Sequence, residues 1–116
     1  MRLLIVEDNS QMRRLLRRIL TGLFTESREC ADGAEALDAY TEFQPDWVLM
    51  DWEMKQVNGL VATRQIIADF PDAKVLLVTN HDEKDLRQAA REAGACGYVL
   101  KENLLDVRGW LQTPAA

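Results

Sequence analysis

Four short apolar runs, each ending on a polar side chain, constrain this chain more than any other feature. Leu3-Leu4-Ile5-Val6 runs into Glu7-Asp8, and Trp47-Val48-Leu49-Met50 runs into Asp51. Val75-Leu76-Leu77-Val78 runs into Thr79, and Tyr98-Val99-Leu100 into Lys101. Short apolar runs bounded by polar residues read as strands buried on both faces, the pattern of a parallel sheet covered by helices. If the strands are parallel, an acidic pair, an aspartate, a hydroxyl and a lysine converge at one sheet edge. Such a set can bind a divalent cation and accept a phosphoryl group.

The segments between the runs read as helices, with one further strand. Asn9-Ser10 has the character of a helix N-cap, and a helix over 11–21 stops at Gly22. A more polar strand is expected over 24–31, at the sheet edge, and Asp32-Gly33 turns the chain. Helical spacing through Ala36, Leu37, Tyr40 and Phe43 predicts a helix over 34–43. Further helices are expected over 58–70 and 83–93, and a short last one over 102–111 with the stripe Leu104, Val107 and Leu111. Five strands alternating with five helices give an α/β fold, a doubly wound parallel sheet joined by right-handed crossovers. Ligands of such sheets bind at the carboxyl ends of the strands, where the strand order reverses.

The 116 residues suffice for one core, so residues 1–112 are read as one domain and 113–116 as a frayed tail or the start of a linker. A formal charge of −5 argues against non-specific nucleic-acid binding. No apolar run approaches the roughly 20 residues that span a bilayer. Met1 leads at once into a strand-like segment, leaving no room for a signal peptide, so a cytoplasmic location is expected. Cys30 and Cys96 lack metal-type spacing and read as two reduced, buried thiols. Arg13, Arg14, Arg17 and Arg18 form two i,i+4 columns, either a solvated face or a docking surface for an acidic partner.

Six motifs occur in a telling order. They are Val-Glu-Asp-Asn at 6–9, Ala-Asp-Gly-Ala-Glu-Ala-Leu at 31–37, Pro-Asp-Trp-Val-Leu-Met-Asp at 45–51, Asn-Gly at 58–59, Val-Thr at 78–79 and Gly-Tyr-Val-Leu-Lys at 97–101. In this order they resemble the receiver domain of two-component response regulators, from residue 2 to about residue 111. The resemblance implies a flavodoxin-like fold with strand order 2-1-3-4-5. It implies that Asp51 is the phosphoacceptor, and that Glu7, Asp8, Asp51 and the backbone carbonyl of Glu53 hold Mg²⁺. Thr79 then contacts the phosphoryl group, Lys101 pairs with Asp51 or its phosphate, and Tyr98 is the aromatic switch. The implied donor is a phosphohistidine on a sensor histidine kinase or histidine phosphotransfer protein. The implied output is a change in the face made by the fourth helix, fifth strand and fifth helix, read by an output domain, a target protein or a second copy. Such a domain is not an enzyme beyond catalysing its own phosphorylation and slow dephosphorylation.

Several residues depart from the family pattern. Lys55 stands where proline is usual, loosening the loop after Asp51 and adding a cation. Trp52 is bulky and is expected to shield the acceptor. Asn80 follows Thr79 where a small residue is common, narrowing water access. His81 and Glu53 are expected to overlook the acceptor, to pair, and to tune the lifetime of the phosphate. Glu102 replaces the usual proline after Lys101, which leaves the isomer of that peptide bond open. Trp110 and Leu105 flank the last apolar stripe and either cover the core or offer a partner surface. Two rival readings are a phosphorylation-independent interaction module and a haloacid-dehalogenase-type phosphohydrolase. The hydrolase needs an acidic pair after the lysine, whereas Glu7-Asp8 lies far upstream.

Overall fold

A computed structural model describes residues 1–112. The expected tail at 113–116 lies outside the described residues. The chain runs β1 (Arg2–Val6), α1 (Ser10–Ile19), β2 (Glu26–Cys30), α2 (Ala36–Phe43), β3 (Trp47–Asp51), α3 (Gly59–Asp69), β4 (Val75–Thr79), α4 (Lys84–Ala93), β5 (Gly97–Leu100) and α5 (Asp106–Leu111). The five strands form one parallel sheet in the order β2-β1-β3-β4-β5. The strand order reverses between β1 and β3, so the carboxyl ends of those two strands flank the expected crevice.

Alternation along the strands divides the core into two layers. Leu4, Val6, Val48, Met50, Val75 and Leu77 meet α2, α3 and α4 through Ala36, Tyr40, Ala62, Ile66 and Ala90. Leu3, Ile5, Leu49, Leu76, Val78 and Val99 meet α1 and α5 through Leu16, Leu20, Val107 and Leu111. Strands β1, β3 and β4 are buried almost throughout, which is why they read as unbroken apolar runs. Asn9 caps α1 by accepting from the Met12 N–H, and Asn58 caps α3 by accepting from the Val61 N–H.

Several boundaries differ from expectation. Strand β2 is shorter than 24–31, because an edge strand can pair only where β1 offers partners, from Arg2–Glu26 to Val6–Cys30. The second helix opens with a 3₁₀ turn at Gly33–Glu35, capped by Asp32. The last helix is split: a 3₁₀ turn at Lys101–Asn103 precedes α5. The described residues contain no cis peptide bond, so Lys101–Glu102 is trans.

Cys30 is buried as expected, but Cys96 is exposed. It stands just ahead of edge strand β5, on an open groove between α4 and Trp110. The arginines of α1 do not act as one patch. Arg13 and Arg17 both bind Glu29 on β2, at 2.9 and 3.1 Å, whereas Arg14 and Arg18 face solvent. Trp110 lies over Gly97 and packs on the core, whereas Leu105 is 72% exposed.

Gly59 fixes the height of Asp51. A Cβ at this position would overlap the Asp51 carbonyl, and the Gly59 N–H donates to the Trp52 carbonyl at 2.8 Å. Gly59→Ala should therefore cost about 1–3 kcal/mol, the usual penalty of overpacking, read as a lower urea midpoint. An unchanged midpoint would contradict this close approach.

Candidate functional site

The strand register decides which polar groups meet. Val6 lies beside Met50, Asp51 beside Val78, and Thr79 beside Leu100. One residue past β1 is Glu7, and one past β5 is Lys101. Glu7, Asp51 and Thr79 are thereby sunk into the edge at 2%, 6% and 1% exposure, whereas Asp8 stays exposed. A cavity of about 350 Å³ opens over them, lined by Glu7, Asp8, Asn9, Asp51, Glu53, Met54, Lys55, Thr79, Asn80, His81 and Lys101.

Lys101 ties the site together. Its Nζ lies 2.9 Å from Glu7 Oε1 and 3.1 Å from Asp51 Oδ1. Burial alone would lower its pKa, but the bond to Glu7 and the Asp51 charge outweigh that and hold it above the usual lysine value. Glu7 is itself fastened: its Oε2 accepts from the Asn9 N–H at 3.1 Å, and its carbonyl accepts from Arg13 at 2.7 Å. Glu7 Oε1 is buried against the lysine ammonium.

Glu7, Asp8 and Asp51 each present a carboxylate oxygen within 4.8 Å of the others. Three carboxylates thus share one ammonium. The strain shows at Asp8, whose pKa is raised chiefly by a hydrogen bond with Glu7, then by partial desolvation and the Glu7 charge. The donors are all carboxylate oxygens lining a polar cavity, with Asp8 exposed at its rim. This set fits a small hard cation that retains waters, as Mg²⁺ does.

Thr79 Oγ1 accepts the His81 backbone N–H at 3.2 Å, and its hydroxyl also neighbours the Tyr98 phenol. His81 Nε2 is paired with Glu53 Oε1, joining the β3–α3 and β4–α4 loops beside Asp51. Asn80 and Lys55 also line the cavity. Trp52 does not: its ring lies edge-on to Tyr98, centroids 6.4 Å apart, and packs against the core beneath α2–α4. The expected shield over Asp51 is therefore absent, because alternation beyond β3 sends this side chain toward Tyr98. The Tyr98 hydroxyl is buried without a full hydrogen bond, and Arg87 covers the ring at 5.2 Å. Burial raises the phenol pKa, opposed mainly by the Arg87 charge.

One residue was legible only as a turn. Asp32 accepts from the Ala34 N–H at 2.9 Å, and across the edge from Gln56 at 2.9 Å and Val57 at 3.0 Å. The Asp-Gly pair signals a turn, but nothing in its spacing reveals partners 24 and 25 residues away.

The raised pKa of Asp8 has a thermodynamic consequence. A carboxyl whose native pKa lies above its unfolded value destabilises the fold once ionised, and does so least in acid. Asp8→Asn should therefore raise the melting temperature at pH 7 in EDTA. The gain should shrink as the pH falls toward 3.8, the ordinary aspartate value. A gain independent of pH would contradict this.

Comparison with known proteins agrees with the geometry. Residues 3–107 match the family described as response regulator receiver domain. The chain is 37% identical over 98 residues to the chemotaxis protein CheY of Halobacterium salinarum, covering 84% of this chain and 82% of that protein. It is 36% identical over 102 residues to the transcriptional regulatory protein DegU of Brevibacillus brevis, covering 86% of this chain but 43% of the relative. The chain thus spans less than half the length of DegU. Among solved structures, a LuxR-family two-component response regulator from Aurantimonas sp. SI85-9A1 superposes with a TM-score of 0.84 at 32% identity, covering 95% of this chain and 84% of that one. Response regulators of this kind work with kinases and with output domains or targets, and their receiver domains bind Mg²⁺ at an acidic pocket. This chain belongs to the response regulator receiver domain family and is a module of two-component signalling.

Proposed function

We propose that residues 1–112 form a phosphoacceptor domain in which Asp51 takes a phosphoryl group from a phosphohistidine on a sensor kinase or phosphotransfer protein. The observation that carries this reading is the meeting of Asp51 with Glu7, Asp8 and Lys101 at one strand edge. An Asp51 oxygen attacks phosphorus, an acyl phosphate bond forms and the phosphorus–nitrogen bond of the donor breaks. The released electron pair returns to the donor imidazole, which takes up a proton. Phosphoryl transfer passes through a loose transition state, so positioning and charge stabilisation supply most of the acceleration.

Glu7, Asp8, Asp51 and the Glu53 backbone carbonyl are the proposed Mg²⁺ holders, with Asp8 the most direct ligand. Bound Mg²⁺ supplies neutralising charge where carboxylates meet an anionic donor. Lys101 screens the opposite side and follows the phosphoryl oxygens once Asp51 is modified. The Thr79 hydroxyl donates to a phosphoryl oxygen. Its movement toward Asp51 frees space at Tyr98 beneath α4, and the α4–β5–α5 face changes its preference for an output domain, a target or a second copy. Moving such an equilibrium from 1:99 to 99:1 takes about 5.5 kcal/mol. Two or three charge-assisted hydrogen bonds at about 1.5–3 kcal/mol each can reach it. The proposed setting is the cytoplasm; no helix among the described residues is long and apolar enough to cross a membrane.

Glu53, Asn80 and His81 are proposed to set the lifetime of the phosphate. The His81–Glu53 contact spans two loops at the cavity mouth and limits the approach of water to the acyl phosphate.

Incubation with acetyl phosphate and Mg²⁺ should add one phosphoryl group by mass spectrometry, and Asp51→Ala should add none. No modification with any donor favours an interaction module; sustained phosphate release favours a hydrolase. Losing one hydrogen bond of about 0.5–1.5 kcal/mol, His81→Ala should speed dephosphorylation about twofold to tenfold. An unchanged decay rate would remove His81 from the mechanism.

A further inference from the structure

The carboxylate of Asp32 makes more bonds across the sheet edge than its place in a turn requires. Its Oδ1 accepts from Ala34 and Val57, and its Oδ2 from Gln56. The first bond caps the 3₁₀ turn that follows β2. The other two reach the loop between β3 and α3. Beside them, Gly33 lacks a Cβ, and any Cβ there would overlap the Val57 carbonyl. The end of β2 is itself fastened to the acidic edge, since the Glu7 N–H donates to the Cys30 carbonyl at 3.0 Å.

The tethered loop is the one that carries the acceptor's neighbours. It has no regular secondary structure and no proline from Trp52 to Asn58. One face of the loop, through Glu53, Met54 and Lys55, lines the acceptor cavity. Its other face, through Lys55 and Gln56, lines a second cavity against Asp8 and Asp32. Between Trp52, held by Gly59, and Gln56, held by Asp32, the loop spans only three residues.

We infer that Asp32 is a positioning residue for the cation site, holding the β3–α3 loop so that the Glu53 carbonyl stays level with Asp8 and Asp51. This rests on the reading of the edge as a Mg²⁺ site. Burial would push the Asp32 pKa up, but the converging backbone N–H groups outweigh it and hold the group below the ordinary aspartate range. The tether is therefore ionised at neutral pH and bonds its amides in the stronger, charge-assisted form. Partners one shell out from a metal ligand typically carry 10–100-fold in metal affinity or activity.

The test is the Mg²⁺ dependence of phosphorylation by acetyl phosphate in Asp32→Asn and Asp32→Ser. Serine keeps a cap for Ala34 but is too short to hold Gln56 and Val57 as well. In both variants the half-saturating Mg²⁺ concentration should rise about tenfold, while the maximal rate at saturating Mg²⁺ falls by less. A folded variant whose half-saturation stays within about twofold of the parent overturns the inference, because a purely structural role lowers stability without moving that constant. If neither variant folds, amide exchange in the parent chain decides: Mg²⁺ should slow exchange at Gln56 and Val57, and unchanged exchange overturns the inference. A parent chain that takes up no Mg²⁺ overturns both this inference and the reading beneath it.

Discussion

The site depends on one shared ammonium. Lys101 reaches back from the end of β5 and touches Glu7 and Asp51 at once. Without it, two nearly buried carboxylates would face each other across a crevice with Asp8 at its rim. Burying charges is costly unless they are paired, and a buried ion pair seldom adds net stability. The arrangement is better understood as stored electrostatic tension than as a brace. Its three carboxylates carry more negative charge than one lysine can offset. A hard divalent cation bound there would offset that excess.

Strand register makes this tension possible. Glu7, Asp51 and Lys101 come from three strands that are neither consecutive nor all adjacent in the sheet. They meet because each apolar run ends at the same height, and because Gly59 lets α3 start directly against the Asp51 carbonyl. The loops beyond the strand ends then set access. His81 and Glu53 join across the cavity mouth, while Asp32 holds the back of the same loop through its amides.

The sheet and the convergence of most of the candidate site's side chains were readable from sequence for a definite reason. Strands buried on both faces leave unbroken apolar runs, and the residue after each run must lie at the common edge. Asp51, Glu7, Thr79 and Lys101 follow from that rule, and the motif order supplied the strand order. What was not readable depends on side-chain direction and long-range partners. Trp52 faces Tyr98 rather than Asp51, Cys96 faces solvent, and Arg13 and Arg17 turn to Glu29. Asp32 is the clearest case, because its partners are main-chain amides and these carry no residue identity. The shortened β2 and the split last helix are boundary effects of the same kind, set by neighbours rather than by local spacing.

The central claim is that the edge holds uncompensated negative charge shaped for a divalent cation. Thermal unfolding against added MgCl₂, with NaCl at matched ionic strength as the reference, tests it most directly. Ligand that binds only the folded state raises its stability by mass action. The account requires the melting temperature to climb with Mg²⁺ and to stay nearly flat with NaCl, with the climb lost in Asp51→Asn combined with Asp8→Asn. Equal responses to the two salts, or an undiminished Mg²⁺ response in the double variant, would contradict it.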